Sequence, residues 1–468
     1  MTAVGRPPPG NLGAVTTVDE LARRTREAFP QVRADLEDLV RIPSVSSPAF
    51  DQAHVRASAE RVAHLLRDAG MAQVDVLEVE LPDGGRGRPA VVAHRAGPEG
   101  APTVLLYAHH DVQPPGEAAG WTSDPFEPVQ RGERLYGRGA ADDKAGIMAH
   151  VGALRVLGED LGVGLTVFVE GEEEIGSPTF TPFLHAYRDR LAADVIVVAD
   201  SNNWKVGVPA LTTSLRGLVD CEVEVRVLGH AVHSGMFGGP VLDAVTLMSR
   251  LVATLHDDDG NVTLMSRLAA REHADVDYPE EELRADASVV EGYRLAGTGP
   301  LAARMWTKPA IAVIGLDATS VAHSSNTIAP VCRAKLSMRI APGQDPAEAE
   351  RLLHEHLVAH APFGAQVTVT PGERGQAFDA TEDTEEMRSA RWAFHQAWGR
   401  EPVDIGVGGS IPFISELQEV FPQAKILVTG VEDPDSRAHS EDESVHLGEL
   451  EKVVLAEALL LAKLARQV

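Results

Sequence analysis

The fold is decided by a stretch in which a strand-like run passes directly into acids: Leu165-Thr166-Val167-Phe168-Val169-Glu170-Gly171-Glu172-Glu173-Glu174-Ile175-Gly176-Ser177. Its first half is β-branched and aromatic, and it predicts a short buried strand. Its second half places four acids in five positions at the end of that strand. Like charges this close repel and raise one another's pKa unless a cation lies among them. Taken alone, the stretch fits a metal site and a solvated acidic turn equally well.

The same pattern recurs after two other strand-like runs. Residues 103–108 lead into His109-His110-Asp111, and residues 194–199 end on Asp200. In an open parallel α/β sheet, ligands bind at the carboxyl ends of the strands. Acids and a histidine that converge there without a cation would be costly to desolvate. Together, the three runs favour a metal site over an acidic turn.

A further acidic motif lies at the entrance of a predicted helix. Residues 135–146 read Leu-Tyr-Gly-Arg-Gly-Ala-Ala-Asp-Asp-Lys-Ala-Gly and precede an apolar helix predicted over 147–157. The glycines let the backbone turn sharply and aim a carboxylate. Helix N-capping would account for one of Asp142 and Asp143, because Asp is favoured at that position. The other aspartate needs a different explanation.

Length and composition indicate a two-domain cytoplasmic protein. The chain has 468 residues, which is too long for one ordinary core and predicts two domains. Its hydrophobic content of 44% is ample for a globular protein. The net charge of −27 argues against partners such as nucleic acid or an anionic membrane. Cys221 and Cys332 lie in strand-like runs and are predicted to be buried reduced thiols. No run is long enough to span a membrane, and the N-terminus lacks a secretory signal pattern.

Hydrophobic periodicity predicts one split α/β domain and one α+β domain inserted into it. Residues 1–17 are predicted to be a disordered tail. Strands and helices alternate over 18–211 and again over 384–468, which predicts a mostly parallel sheet flanked by helices. Residues 212–383 contain half-exposed antiparallel strands and two amphipathic helices. An acidic insertion at 257–291 shows no pattern that assigns it a role.

Together with the pair His439-Ser440 near the end of the chain, these motifs resemble those of a family of co-catalytic zinc peptidases. The family includes carnosinase, cytosolic non-specific dipeptidase, aminoacylase and succinyl-diaminopimelate desuccinylase, and the likeness covers nearly the whole chain after the tail. The motifs occur in the family's order: Ala108-His109-His110-Asp111-Val112-Gln113-Pro114, Gly137-Arg138-Gly139-Ala140-Ala141-Asp142-Asp143-Lys144, Glu170-Gly171-Glu172-Glu173-Glu174-Ile175-Gly176-Ser177, Asp200, and Ala438-His439-Ser440.

The resemblance implies a zinc peptidase fold and two zinc ions in each subunit, with manganese or cobalt as possible substitutes. The implied ligands are His109 and Asp200 for one ion, Glu174 and His439 for the other, and Asp142 as the bridge. Asp111 would orient the imidazole of His109. Glu173 would be the general base that takes a proton from the activated water and passes it to the leaving amine.

Several neighbouring residues have simpler explanations. His110 is predicted to serve local packing or hydrogen bonding, and Glu170 and Glu172 to be structural or solvated. Of His230 and His233, the second falls at the family's His-Ser-Gly position. In the dipeptidase branch, the matching histidine reaches the neighbouring subunit's active site and helps to stabilise the oxyanion.

The resemblance also implies substrate-binding residues. Asn326 looks like the family's polar contact and Arg339 like its carboxylate-recognising arginine, although an exposed strand arginine explains Arg339 equally well. Gly409 and Ser410 match the substrate-facing glycine-serine turn. Two departures, Ile328-Ala329-Pro330 and Asp317-Ala318-Thr319-Ser320, leave the substrate site less defined than the metal centre.

The resulting hypothesis is a cytoplasmic di-zinc metallopeptidase that hydrolyses the amide bond of dipeptides. Residues 212–383 would form a lid and the dimerisation domain of a homodimer, and residues 304–309 and 233–239 look most like the dipeptidase branch. The alternative is an N-acyl amino-acid amidohydrolase with the same metal centre. A non-catalytic binding protein of this fold is a third hypothesis, against which the complete ligand set and Glu173 argue.

Overall fold

The computed structural model describes residues 17–81, 84–409 and 412–468. The predicted tail therefore lies outside the described residues except for Thr17, and the candidate substrate residue Ser410 also lies outside them. Thr17 caps the first helix by accepting a hydrogen bond from the backbone N–H of Glu20. Among the described residues, no helix combines the length and the apolar character that crossing a bilayer requires.

The helices are α1 (Val18–Val40), α2 (Ala53–Asp68), α3 (Lys144–Leu157), α4 (Phe180–Ala186), α5 (Arg188–Leu191), α6 (Ser234–Phe237), α7 (Ala244–Ala253), α8 (Glu280–Asp286), α9 (Leu301–Trp306), α10 (Pro346–Ala359), α11 (Glu385–Trp398), α12 (Pro412–Val420) and α13 (Leu447–Leu464). The strands are β1 (Gln73–Leu77), β2 (Ala90–Arg95), β3 (Thr103–His109), β4 (Val129–Arg131), β5 (Arg134–Tyr136), β6 (Gly164–Glu170), β7 (Val195–Val198), β8 (Ala210–Leu215), β9 (Gly217–Arg226), β10 (Val232–His233), β11 (Ala310–Asp317), β12 (Thr327–Ile328), β13 (Val331–Ile340), β14 (Gln366–Gly375), β15 (Phe378–Asp379), β16 (Val403–Val407), β17 (Lys425–Val428) and β18 (Ser444–His446).

The chain forms two compact units. The first comprises the described parts of Met1–Leu211, Glu382–Val403 and Glu416–Val468, and the second comprises the described parts of Thr212–Thr381 and Asp404–Ser415. Periodicity places 404–415 in the split α/β domain, whereas the described residues of this range belong to the second compact unit. The reason is that β16 joins a three-stranded sheet with β8 and β15.

The first unit is built on a six-stranded sheet in the order β1-β2-β6-β3-β7-β17. The pairs β6–β3, β3–β7 and β7–β17 are parallel, whereas β1–β2 and β2–β6 are antiparallel. Strands β6 and β7 are buried along their whole length. Strands buried on both faces read as continuous apolar runs, which is why these two are visible in the sequence.

Close backbone approach places the start of α3 against the end of β7. A Cβ atom at Gly146, in the first turn of α3, would lie 2.2 Å from Asp143 Oδ1 and 2.5 Å from the carbonyl oxygen of Ala199. Only glycine leaves this space free. The Asp142–Asp143 pair at the head of the helix is thereby held beside the strand end that leads to Asp200.

The second unit contains a four-stranded antiparallel sheet in the order β11-β13-β9-β14. Alternate residues of β13 are buried, as expected for a strand with one face on a core. Helices α7 and α10 contribute Leu251 and Leu353 to that core. Helix α8 accounts for part of the acidic insertion, and its three glutamates in the first turn suit the positive end of the helix dipole.

Candidate metal centre

The acidic motifs meet at one edge of the first unit's sheet. Strands β6, β3 and β7 are parallel neighbours. Strand β3 ends at His109, β6 ends at Glu170, and Asp200 follows β7 by two residues. Parallel strands present their carboxyl ends at the same edge, so the side chains after them converge.

His109 is buried and has carboxylates on both sides of its ring. Its Nδ1 lies 3.4 Å from Asp111 Oδ1 and 3.1 Å from the carbonyl oxygen of Asp111. Its Nε2 lies 3.0 Å from Asp142 Oδ1 and 3.9 Å from Asp200 Oδ1. The ring is therefore fixed at Nδ1 and directs Nε2 toward two carboxylates.

Asp142 lies between the two histidines. Its Oδ1 faces His109 Nε2, and its Oδ2 lies 2.9 Å from His439 Nε2. Each carboxylate oxygen thus faces a different imidazole, which is the arrangement that a bridging ligand needs.

His439 and Glu174 form the other side of the cluster. Glu174 Oε2 lies 3.1 Å from His439 Nε2. Gln113 holds the glutamate, because its backbone N–H donates to Oε1 at 3.0 Å and its Nε2 donates to Oε2 at 2.8 Å. Gln113 was not predicted as a site residue, although it lies in the quoted motif that begins at Ala108.

Asp111 is connected to three of the predicted residues. Besides facing His109, its Oδ1 accepts the backbone N–H of Glu173 at 3.2 Å and its Oδ2 accepts that of Glu174 at 3.0 Å. One buried carboxylate therefore joins the motif after β3 to the motif after β6.

Within the described part of the chain, two groups of side chains have the spacing to hold a metal ion. They are His109, Asp143 and Asp200 in one group, and Asp142, Glu174 and His439 in the other. The sequence analysis does not assign Asp143 as a metal ligand. In the structure, both aspartates of the Asp142–Asp143 pair lie in the cluster. Asp143 Oδ2 also accepts the backbone N–H of His109 at 3.1 Å.

The cluster carries an excess of acid. Burial, and to a lesser extent repulsion from Asp142, raises the pKa of Glu174 to about 7. Burial also raises the pKa of Asp200 to about 7, because attraction to His109 does not offset it. Hydrogen bonds with Asp142 and Glu174 raise the pKa of His439 to about 11. Carboxylates and imidazoles that compete for protons in this way form a donor set for cations.

The flanking polar residues have local partners. Tyr107 donates its hydroxyl hydrogen bond to Glu170 Oε2 at 2.7 Å. His110 Nε2 lies 2.8 Å from the carbonyl oxygen of Pro89. Glu172 accepts the backbone N–H of Thr179 at 2.7 Å. These contacts agree with the structural roles expected for His110, Glu170 and Glu172.

The second unit brings two of the other predicted residues together. His233 is exposed, and its Nδ1 accepts the backbone N–H of Gly235 at 3.0 Å. His233 of β10 is the pairing partner of Thr327 of β12. Asn326 immediately precedes Thr327, and its carbonyl oxygen accepts the backbone N–H of Ser234.

Arg339 lies on β13 and has a second arginine near it. Burial, and then repulsion from Arg339, lowers the pKa of Arg216 to about 10. Arg216 Nε donates to the carbonyl oxygen of Gly408 at 2.9 Å, one residue before Gly409.

Comparison with known proteins identifies relatives that cover most of the chain, including the segments that carry the metal cluster. The profile of Peptidase family M20/M25/M40 matches residues 105–463. The chain is 37% identical over 364 residues to a cysteinylglycine-S-conjugate dipeptidase of Corynebacterium striatum, covering 76% of this chain and 80% of that protein. It is 28% identical over 425 residues to the human Beta-Ala-His dipeptidase, covering 85% and 82%. The structure of the dipeptidase Dug1p from Saccharomyces cerevisiae has a similar fold, with a TM-score of 0.73, 21% identity and coverage of 97% and 99%.

Proposed function

Because the chain belongs to Peptidase family M20/M25/M40, we propose that it is a metal-dependent dipeptidase whose metal centre is the cluster of the first unit. The observation that carries the proposal is the position of Asp142. One of its oxygens lies 3.0 Å from His109 Nε2 and the other 2.9 Å from His439 Nε2. A carboxylate placed in this way can serve two metal ions at once.

The donor set fits two divalent ions. Its nitrogen and oxygen atoms suit zinc, and manganese or cobalt could replace it. The proposed ligands are His109 and Asp200 for one ion, Glu174 and His439 for the other, and Asp142 for both. The excess of carboxylates over imidazoles supports this assignment, since buried acids need compensating positive charge.

When bound, the two ions would acidify a water molecule and polarise the amide carbonyl of the substrate. The chain's own residues then move the protons. Glu173, whose backbone is fixed by Asp111, accepts a proton from the attacking water and donates it to the leaving amine. Asp111 also keeps the ring of His109 in place through Nδ1.

The second unit is proposed to bind substrate and to form a homodimer, with His233 of one subunit serving the active site of the other. Support comes from its edge strand β11, where Val313, Ile314 and Leu316 are exposed. Exposed apolar residues on a sheet edge are typical of an interface. Asn326, Arg339, Gly409 and Ser410 are the proposed substrate contacts. A cytoplasmic location is also proposed, supported by the free buried thiols Cys221 and Cys332.

Subunit exchange tests the shared site. Glu173→Ala and His233→Ala proteins, each expected to have strongly lowered activity alone, are mixed under conditions that exchange subunits. In a hybrid dimer, the His233→Ala subunit keeps Glu173 and receives an intact histidine, so activity should return. No recovery after proven exchange would place His233 in its own subunit's site or outside catalysis.

Substrate class is tested with a panel of dipeptides beside acetyl- and succinyl-amino acids. The panel includes a cysteinylglycine S-conjugate and β-Ala-His, the compounds named for two relatives. We expect hydrolysis of dipeptides, its loss after chelation, and its return with added zinc. Preference for the acylated amino acids would favour the amidohydrolase alternative, and zinc binding without any hydrolysis would favour a binding protein.

A further inference from the structure

A buried carboxylate far along the chain holds the backbone that carries Asp142. Glu443 is fully buried, and its Oε1 accepts the backbone N–H groups of Ala141 at 3.0 Å and Asp142 at 3.1 Å. Its Oε2 accepts the backbone N–H of Gly139 at 3.0 Å and Arg138 Nη1 at 2.7 Å. Four donors thus converge on one side chain, and a carboxylate is the side chain that meets all of them as an acceptor.

Arg138 connects the same side chain to the loop that carries His439. Its guanidinium is buried between the two motifs, and Nη2 donates to the carbonyl oxygen of Ser440 at 3.1 Å. The backbone N–H of Gly137 donates to the carbonyl oxygen of Glu443 at 3.0 Å. Strand β18, which begins after Glu443, also pairs with β5, which ends before Gly137. The segments 137–142 and 439–443 are therefore fastened to each other at several points.

The His439 loop needs such fastening. Arg437, His439 and Asp442 have φ angles of 57°, 61° and 57°, in the left-handed region. This region is unfavourable for residues with a Cβ atom, so surrounding contacts must maintain it. The side chain of His439 is 58% exposed, so packing alone does not orient it. Its Nε2 faces Asp142 and Glu174, and the ring reaches them only when the backbone of the loop places it there, which depends on the contacts of the loop.

We propose that Glu443 and Arg138 form a clamp that positions Asp142 and His439 relative to each other and so shapes the metal site they share with Glu174. Both are positioning residues, because neither lies among the candidate metal ligands. Nothing in the family resemblance assigns them this role. The inference rests on the metal centre proposed above.

The test is the zinc affinity of the full-length protein, measured by competition with a chromophoric chelator. Glu443→Gln keeps the size of the side chain but turns an amide N–H₂ toward backbone donors. We expect zinc affinity to fall by about 10- to 100-fold, as is usual when groups that orient ligands are removed. The matched control is Glu457→Gln, another buried glutamate of the first unit, which pairs with His150 instead. It should leave zinc affinity unchanged.

Hydrogen exchange of the metal-free protein provides a readout that needs neither metal nor activity. Peptides that cover 137–144 should exchange faster in Glu443→Gln than in wild type, and those of the Glu457→Gln control should not. If Glu443→Gln does not fold, Arg138→Lys decides, because lysine keeps the charge but cannot reach Glu443 and Ser440 together. The clamp proposal is overturned if the clamp variant that folds binds zinc as tightly as wild type. It is also overturned if Glu457→Gln loses as much zinc affinity as the clamp variant. A wild-type protein that bound no metal would instead overturn the proposed function.

Discussion

In the first unit, the buried pair His150–Glu457 and the metal cluster both bring histidine and carboxylate together, and they differ in the balance of charge. Between α3 and α13, His150 Nδ1 lies 2.9 Å from both oxygens of Glu457, and His150 Nε2 lies 3.0 Å from the carbonyl oxygen of Tyr107. Both ring nitrogens have a partner, and both side chains are buried. The pair is complete without a ligand.

The metal cluster has the same residue types in a different ratio. Its two candidate groups hold two histidines and four carboxylates, with Glu173 beside them: His109, Asp143 and Asp200, and Asp142, Glu174 and His439. Buried negative charge exceeds what the imidazoles can balance, so the cluster calls for an added cation. In this protein, the ratio of carboxylates to imidazoles, and not the presence of a His–carboxylate contact, distinguishes the candidate metal centre from the His150–Glu457 pair.

Removing the shared carboxylate should have the largest effect. Asp142→Ala is expected to empty at least one metal site and to lower activity beyond the roughly 10⁴-fold range of a single acid–base group. Thermal stability should fall as well, because metal binding and folding are linked. Metal content by mass spectrometry, together with kcat/KM on a dipeptide, measures both effects. Full metal content in this variant would remove Asp142 from the bridge.

Removing Glu173, the proposed general base, should leave the metal in place. Glu173→Ala is expected to lower kcat by about 10²- to 10⁴-fold, with both ions retained. Glu172→Ala is the neighbouring control, because the carboxylate of Glu172 is used by the backbone N–H groups of Arg88 and Thr179. That change should lower the melting temperature more than kcat. Loss of metal from Glu173→Ala would mean that Glu173 and Glu174 exchange roles.

Sequence alone could predict both the family and the strands that carry the cluster. Strands β6 and β7 are buried along their whole length, consist mostly of apolar residues, and end close to ligand-type residues. The family match over 105–463 confirms the resemblance. Asp143 was missed because adjacent acids look alike in a sequence. Glu443 was missed because it lies in the polar run 440–444, where nothing distinguishes it from its neighbours. Its partners, such as Asp142, lie about 300 residues earlier in the chain and come near it only in the folded protein.

The strand β16 shows why glycine can mislead. Residues 406–410 read as a glycine-rich turn, yet Gly406 lies within β16. A Cβ atom there would lie 2.6 Å from Trp306 Cβ and 2.7 Å from Ser214 Oγ. Glycine in this strand therefore marks close packing and not a turn. Contacts of this kind join distant segments, so no local pattern reveals them.

A smaller effect is expected at Asp111, which contacts His109 and the backbone of Glu174 but is not one of the candidate ligands. Asp111→Asn keeps the size of the side chain, but its N–H₂ group would face either His109 Nδ1 or the backbone N–H groups of Glu173 and Glu174. Zinc affinity should fall by about 10- to 100-fold. Chelator competition gives the affinity, and kcat at saturating zinc shows how much activity returns. Unchanged affinity would limit Asp111 to packing.

The smallest effect on activity is expected at the balanced pair. Burial lowers the pKa of His150, but attraction and hydrogen bonding to Glu457 outweigh it, and the pKa is raised above the ordinary value of 6.5. A raised pKa in the folded state stabilises the protein fully below pH 6.5, and the contribution is lost as pH rises through the folded pKa. Glu457→Gln removes the charge that favours the imidazolium, and it should cost about 1–3 kcal/mol of stability at low pH.

The measurement is the difference in melting temperature between wild type and Glu457→Gln, followed from about pH 6 to about pH 9. Titration of the metal cluster is common to both proteins and cancels in the difference, provided that the two sites do not interact. The difference should be largest at the acidic end and shrink as pH rises, while kcat/KM at saturating zinc stays at the wild-type value. A difference that is constant with pH would show that the pair contributes packing and hydrogen bonding but no charge. Loss of zinc from Glu457→Gln would show that the two His–carboxylate sites are coupled, and the contrast between them would then fail.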